Sequence, residues 1–291
     1  MKLKITDIRS SWEGFSQLSR LALDLQSCFL DEVEIDMSAV GWFDANMCAP
    51  FGAILYRTSL AANDVTITAI QCEVQKILSK NGFLANYGYP LALDTYGTTI
   101  PYKRFELGQE RHSASYVDMH LSGKGMPQMT RGLRTKLLEA VLEIFSNSFT
   151  HSETELGVFS CGQFFPKRDR LDFSIADLGM GIRKNILQKR HVDLSAENAI
   201  KWAISERNTT REGPVPGGSG LKILREFISM NRGRMQIVSD KGYMEFGSGF
   251  GTPLLRLMDH PFPGTVVNLE FNTADTNSYC LASEVGPEDT L

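Results

Sequence analysis

The sequence predicts a two-part α/β protein. Strand-like and helix-like runs alternate over roughly the first ninety residues. A stretch broken by glycine and proline follows between Tyr87 and Met129, and beyond it a long amphipathic helix and a glycine-rich turn open a second unit. With 291 residues, 42% of them hydrophobic, the chain is long enough for two cores. Composition excludes a disordered, collagenous or disulfide-scaffold protein.

The longest apolar run, Met47 to Tyr56, contains Pro50 and is far shorter than the roughly 20 residues a membrane span needs. Lys2, Lys4, Asp7 and Arg9 occupy the region where a secretory signal would carry its apolar core. Cys28, Cys48, Cys72, Cys161 and Cys280 are odd in number and form no C-x-x-C pair, so reduced thiols are expected. These features together predict a cytoplasmic chain with no membrane association. A formal net charge of −4 gives no reason to expect nucleic-acid binding. One local surplus stands out: from Ile182 to Arg234 there are eleven basic residues against five acidic ones. That surplus suits a polyanion such as a nucleotide triphosphate, and equally a solvated helix face.

In the first part, Phe15, Leu18, Leu21, Ala22, Leu25, Cys28 and Phe29 recur at helical spacing between Gly14 and Leu30. Val33 to Met37 and Val65 to Ile70 read as strands. A second helix is expected from about Asn46 to Ala62, with Pro50 in its first turn, where a missing N–H is tolerated. A third runs from Glu73 to Lys80 and stops at Asn81-Gly82. The segment Val33-Glu-Ile-Asp-Met-Ser-Ala-Val-Gly-Trp-Phe-Asp44-Ala45-Asn46, followed by a helix, a strand and a helix ending Lys-Asn-Gly-Phe83, resembles the STAS domain of anti-sigma-factor antagonists. In that family the loop carries a serine that a partner kinase phosphorylates. Here Asn46 stands at that position with Ala45 before it, and neither has a hydroxyl. The resemblance therefore implies a docking or regulatory module without the phospho-switch, over residues 1–88.

A linker is expected over 89–104, although a strand around Ile100 to Leu107 could already belong to the second part. That part is expected over 105–273, with a frayed polar tail over 274–291. Thr130 to Ser152 reads as one helix. At about 100° per residue, Leu137, Leu138, Ile144, Phe145 and Phe149 fall within about 80° of Val141, forming a core side. Glu139, Glu143, Asn147 and His151 line the opposite side, about 6 Å apart along the axis. Leu171 to Ala176 alternates as a strand and runs into Asp177-Leu-Gly179-Met-Gly181. A carboxylate at a strand end can accept from an exocyclic amine, and glycines allow close backbone approach. Further on, Pro216-Gly217-Gly218-Ser219-Gly220-Leu221 opens a helix to Met230, whose N-terminus offers N–H groups suited to phosphate.

In this order the motifs resemble the GHKL (histidine-kinase-type) ATPase family. Its asparagine box appears as Glu143-x-x-x-Asn147-x-x-x-His151. The first glycine box is Asp177-x-Gly179-x-Gly181, the second Gly217-Gly218-x-Gly220-Leu221, and Gly264-Thr265-Val266-Val267-Asn268-Leu269 matches the final G-T strand. The resemblance implies a mixed sheet with helices on one face, binding ATP and Mg²⁺. It implies Glu143 as general base and Asn147 as the metal ligand. Asp177 and Thr265 would lie at the adenine, Gly179 and Gly181 at close backbone passage, and Gly218, Gly220 and Leu221 at the phosphates. Residues 183–216, including an expected helix Ser195 to Glu206, would form a lid, with Arg207 or Arg211 at the terminal phosphate or simply on the surface.

Among relatives, the helix pattern is closest to the anti-sigma-factor serine kinases, which act on STAS proteins. His112 and His120 lack the heptad context of a phosphoacceptor hairpin, and too little chain follows the ATPase region for a transducer domain. Two functions are therefore expected as alternatives. One is Mg²⁺-dependent phosphoryl transfer from ATP to a protein serine or threonine, or slow hydrolysis, regulated by the STAS-like part. The other is an ATP-switched interaction module with little turnover. A protein partner is implied in either case, and a homodimer by family analogy alone.

Overall fold

The computed structural model describes residues 1–150, 152–205, 219–247 and 252–284. It is an α/β chain, with eight α-helices among the described residues. The first part alternates β1 (Lys2–Ile8), α1 (Trp12–Asp24), β2 (Glu32–Phe43), α2 (Cys48–Leu60), β3 (Asp64–Thr68) and α3 (Cys72–Lys80). Its three strands pair in parallel in the order β1-β2-β3, each crossover being a helix. Ser11 caps α1 by accepting the Gly14 amide, and the helix buries Phe15, Leu18, Leu21 and Ala22 as its spacing requires. Pro50 sits in the first turn of α2, which follows a short 3₁₀ turn over Ala45–Met47. α3 ends at Asn81, and Gly82 follows in the left-handed region.

The second part begins earlier than residue 105. β4 (Thr99–Phe105) lies within the stretch expected as a linker and is the edge strand of a five-stranded sheet. After it come α4 (Glu110–Leu121), β5 (Gln128–Met129), α5 (Arg131–Thr150), β6 (Val158–Phe165) and β7 (Arg170–Asp177). Then follow α6 (Gly181–Arg190), α7 (Ala196–Ala203), α8 (Ser219–Met230), β8 (Arg234–Gly247), β9 (Leu254–Asn272) and β10 (Ser278–Tyr279). The sheet order is β4-β6-β7-β9-β8, and every neighbouring pair is antiparallel. The expected mixed sheet is thus corrected: none of its connections joins parallel neighbours.

The helices α4, α5 and α8 of the second part do lie on one face of this sheet, and the first part covers the other. Along β7, Leu171, Phe173 and Ile175 join the core beneath α4, α5 and α8, whereas Ala176 joins the core shared with α1 and α2. That shared core runs from Phe15, Leu18 and Phe51 of the first part into Phe159, Cys161, Val238, Tyr243, Phe262 and Val266 of the second. The two parts are therefore fused through one apolar cluster. The start of the expected frayed tail is also ordered: β10 pairs with β5, and the Tyr279 ring meets Phe227 edge-on at 5.3 Å. Glu284 accepts the Thr130 hydroxyl at 2.5 Å.

The seam between the parts carries polar rows as well. Asn46, the position that the STAS resemblance marks as a surface switch, is fully buried. Its amide donates to Ser10 Oγ (2.9 Å), Ser174 Oγ (3.1 Å) and Asn268 Oδ1 (2.7 Å). Asn268 in turn donates to Gln236, and Gln236 donates to the Ser10 carbonyl. One row along, Arg170 pairs with Asp44 (3.0 Å), Asp172 (3.2 Å) and Glu270 (3.6 Å), while Arg234 pairs with Glu270 (2.7 Å). Burial pushes the Asp172 carboxyl well above the usual range, with Arg170 opposing.

Candidate functional site

Alternation along the sheet sorts the site from the seam. Asp177 of β7 and Thr265 of β9 are register partners, and by strand parity both face the helix layer rather than the first part. Asp177 is buried at the end of its strand. Its carboxylate accepts the Gly179 amide at 3.0 Å, and the Ser148 hydroxyl of α5 and the Thr265 backbone favour its charged form. Burial nevertheless dominates and raises its pKa to about 6. A desolvated carboxylate of this kind gains most from a ligand that donates hydrogen bonds to it.

Helix α5 forms the other wall. Its expected core side is observed, with Leu137, Val141, Ile144, Phe145 and Phe149 buried. Glu139 is exposed and paired with Lys136 at 2.7 Å, whereas Glu143 and Asn147 are half-buried. Asn147 immediately precedes Ser148, whose hydroxyl favours the charged form of Asp177, so adjacent positions of α5 carry the expected metal ligand and a neighbour of the expected adenine acceptor. Ser148 and Ser152 were not singled out by the motif pattern. Both fall at about 20° from Val141 on the helical wheel, and a hydroxyl on an otherwise apolar face was the available signal.

The glycine turn meets the chain itself. The Met180 amide donates to the Ser152 carbonyl at 2.7 Å, and a Cβ at Gly179 would lie 2.1 Å from that same oxygen. Gly181 has φ +76°, opens α6, and leaves a seat for the Ser239 hydroxyl, which a Cβ would approach to 2.9 Å. So the demand for glycine at both positions comes from packing of the turn against α5 and β8. The expected lid region contains two described helices, α6 and α7.

Gly220 and Leu221 lie in the first turn of α8, and Leu221 packs against the apolar core. His151, Arg207, Arg211, Gly217 and Gly218 lie outside the described residues. No three His, Cys, Asp or Glu side chains gather into a metal cage among the described residues, and none of the described helices is long and apolar enough to cross a membrane. The chain matches no protein-family model and no curated protein.

Proposed function

We propose that the second part binds ATP with Mg²⁺ and transfers the terminal phosphoryl group to a protein serine or threonine, or to water, under regulation by the STAS-like first part. The observation that carries this reading is the buried Asp177 carboxylate, held by the Gly179 amide at the end of β7, with Asn147 and Glu143 half-buried on α5. Asp177 accepts from the adenine amine, with Thr265 beside it. The N-terminal amides of α8, at Gly220 and Leu221, would take the phosphates. Asn147 supplies one hard amide oxygen to the metal. An amide oxygen of this kind suits a Mg²⁺ that would share its ligands with a bound nucleotide. The metal, when bound, neutralises charge on those phosphates. Glu143, one helical turn before Asn147, orients the attacking water or hydroxyl and takes its proton.

Regulation by the first part takes a specific form. Because Asn46 lies inside the seam, that loop is engaged within the chain, and the first part acts on the site through the strands it grips, β7 and β9.

The experiment measures ADP and labelled protein from γ-labelled ATP with Mg²⁺. We expect turnover from wild type, and a fall of about 10²- to 10⁴-fold in Glu143→Ala with ATP affinity retained. Asn147→Ala should lose the Mg²⁺ dependence of binding. Equal, negligible turnover in all three proteins with ATP bound would select the ATP-switched interaction module. No calorimetric heat from millimolar MgATP with folded protein would overturn the nucleotide reading itself.

A further inference from the structure

Ser239 lies in β8 opposite Thr265 of β9 and is 1% exposed. Its Oγ accepts the Ile182 amide at 2.9 Å and donates to the Gly264 carbonyl at 2.9 Å. A third neighbour, Thr265 Oγ1, stands at 3.3 Å. A serine hydroxyl has one hydrogen and two lone pairs. The Gly264 carbonyl, which can only accept, takes that hydrogen. The contact with Thr265 must then be donated by Thr265, and the two lone pairs of Ser239 are filled by Ile182 N–H and Thr265 O–H.

This hydrogen count fixes the chemistry of the neighbouring site. With its own hydrogen turned toward Ser239, Thr265 presents only lone pairs elsewhere. Its register partner Asp177 presents a carboxylate. Two adjacent acceptors match a group with two hydrogens to give, which describes an exocyclic amine and not a carbonyl oxygen.

We propose that Ser239 is a positioning residue that sets nucleobase choice: by holding the Thr265 hydroxyl as an acceptor, it makes the site take a 6-amino purine and reject a 6-oxo purine. The inference rests on the nucleotide reading above. Loss of the Ser239 hydroxyl frees Thr265 to rotate and donate, so the discrimination falls even where the purine itself still fits.

Calorimetry with ATP and ITP, each with Mg²⁺, tests it on wild type, Ser239→Ala, Ser239→Cys and Ser239→Thr. Wild type should favour ATP. Ser239→Ala should narrow the ATP-to-ITP affinity ratio about tenfold, mainly by improving ITP relative to ATP. Ser239→Thr keeps the hydroxyl and should keep the ratio. If Ser239→Ala does not fold, Ser239→Cys, close in volume and a weak hydrogen-bond partner, should show the same narrowing. A structural loosening lowers both affinities together. An unchanged ratio in a folded Ser239→Ala or Ser239→Cys protein overturns the inference, as does a wild type that binds ATP and ITP alike. A wild type that binds neither nucleotide removes the nucleotide reading instead.

Discussion

The two faces of the five-stranded sheet are buried by different means. Toward α4, α5 and α8, Leu171, Phe173, Ile175, Met235, Ile237, Leu269 and Phe271 form an apolar layer, with Asp177, Thr265 and Ser239 as a polar group at one side of it. Toward the first part, Ser174, Asn268 and Gln236 make one transverse polar row, and Asp172, Glu270 and Arg234 make the next. Apolar contact is non-directional and tolerates sliding, whereas a row of matched donors and acceptors admits one register. The first part thus meets the sheet through directional bonds as well as apolar contact. The same two strands, β7 and β9, are read by Asn46 on one face and end at the candidate nucleotide site on the other.

The comparison breaks most readily where charge is buried. Arg170→Ala leaves Asp44, Asp172 and Glu270 without their shared cation and should cost about 3–5 kcal/mol in urea unfolding. Phe173→Ala, on the other face, should cost a similar 3–5 kcal/mol through a cavity. The two differ in pH dependence. Protonation of Asp172, which burial already favours and Arg170 opposes, relieves the Arg170→Ala penalty as pH falls, while the Phe173→Ala penalty stays. Equal pH dependence would show that the polar rows add nothing beyond area.

A smaller effect sharpens the same point. Asn46→Ala removes the buried amide whose two hydrogens are shared among Ser10, Ser174 and Asn268, for about 2 kcal/mol, while Ser174 and Asn268 keep their own bond. Unfolding that remains a single transition, with both parts melting together, is expected because the apolar cluster still spans the seam. Two separated transitions in the variant would mean that the polar rows, and not the shared core, join the parts.

The smallest stability effect concerns the site itself. Asp177 has a folded pKa of about 6, above the ordinary 3.8. Its contribution to stability is therefore fully present below 3.8 and is lost as pH rises through 6. Asp177→Asn should accordingly make the ligand-free protein about 1–2 kcal/mol more stable than wild type at pH 7, the gain vanishing near pH 4. ATP binding should weaken in the same variant by about 1–3 kcal/mol. An apo stability that does not change with the substitution would mean that the carboxylate is not desolvated.

Much of the helical structure was legible in advance. The spacing of Phe15, Leu18 and Leu21, and that of Leu137, Val141, Ile144 and Phe145, places α1 and α5 because a 3.6-residue period survives any tertiary context. β1 was not legible as a strand: it is seven residues long and carries Lys2, Lys4 and Asp7 among Leu3, Ile5 and Ile8. Of the strands flanking β7, part of β9 is marked by the Gly264-Thr265 motif, whereas β6 is identified by its pairing. At the site, Asp177, Asn147 and Thr265 stand out by motif, whereas Ser148, Ser152 and Ser239 do not, since a buried serine reveals its role only through the groups it meets.

By itself the sequence determined the local periods, the caps and the order of polar motifs, because these depend on residues a few positions apart. Only the tertiary structure decided that Asn46 faces inward, that the sheet is antiparallel and covered on both faces, and that one hydroxyl of β8 holds Gly264 and Thr265. Those outcomes depend on partners more than a hundred residues away, as for Asn46 and Asn268, or on strand register, and hydrogen-bond matching selects them only once the chain has closed.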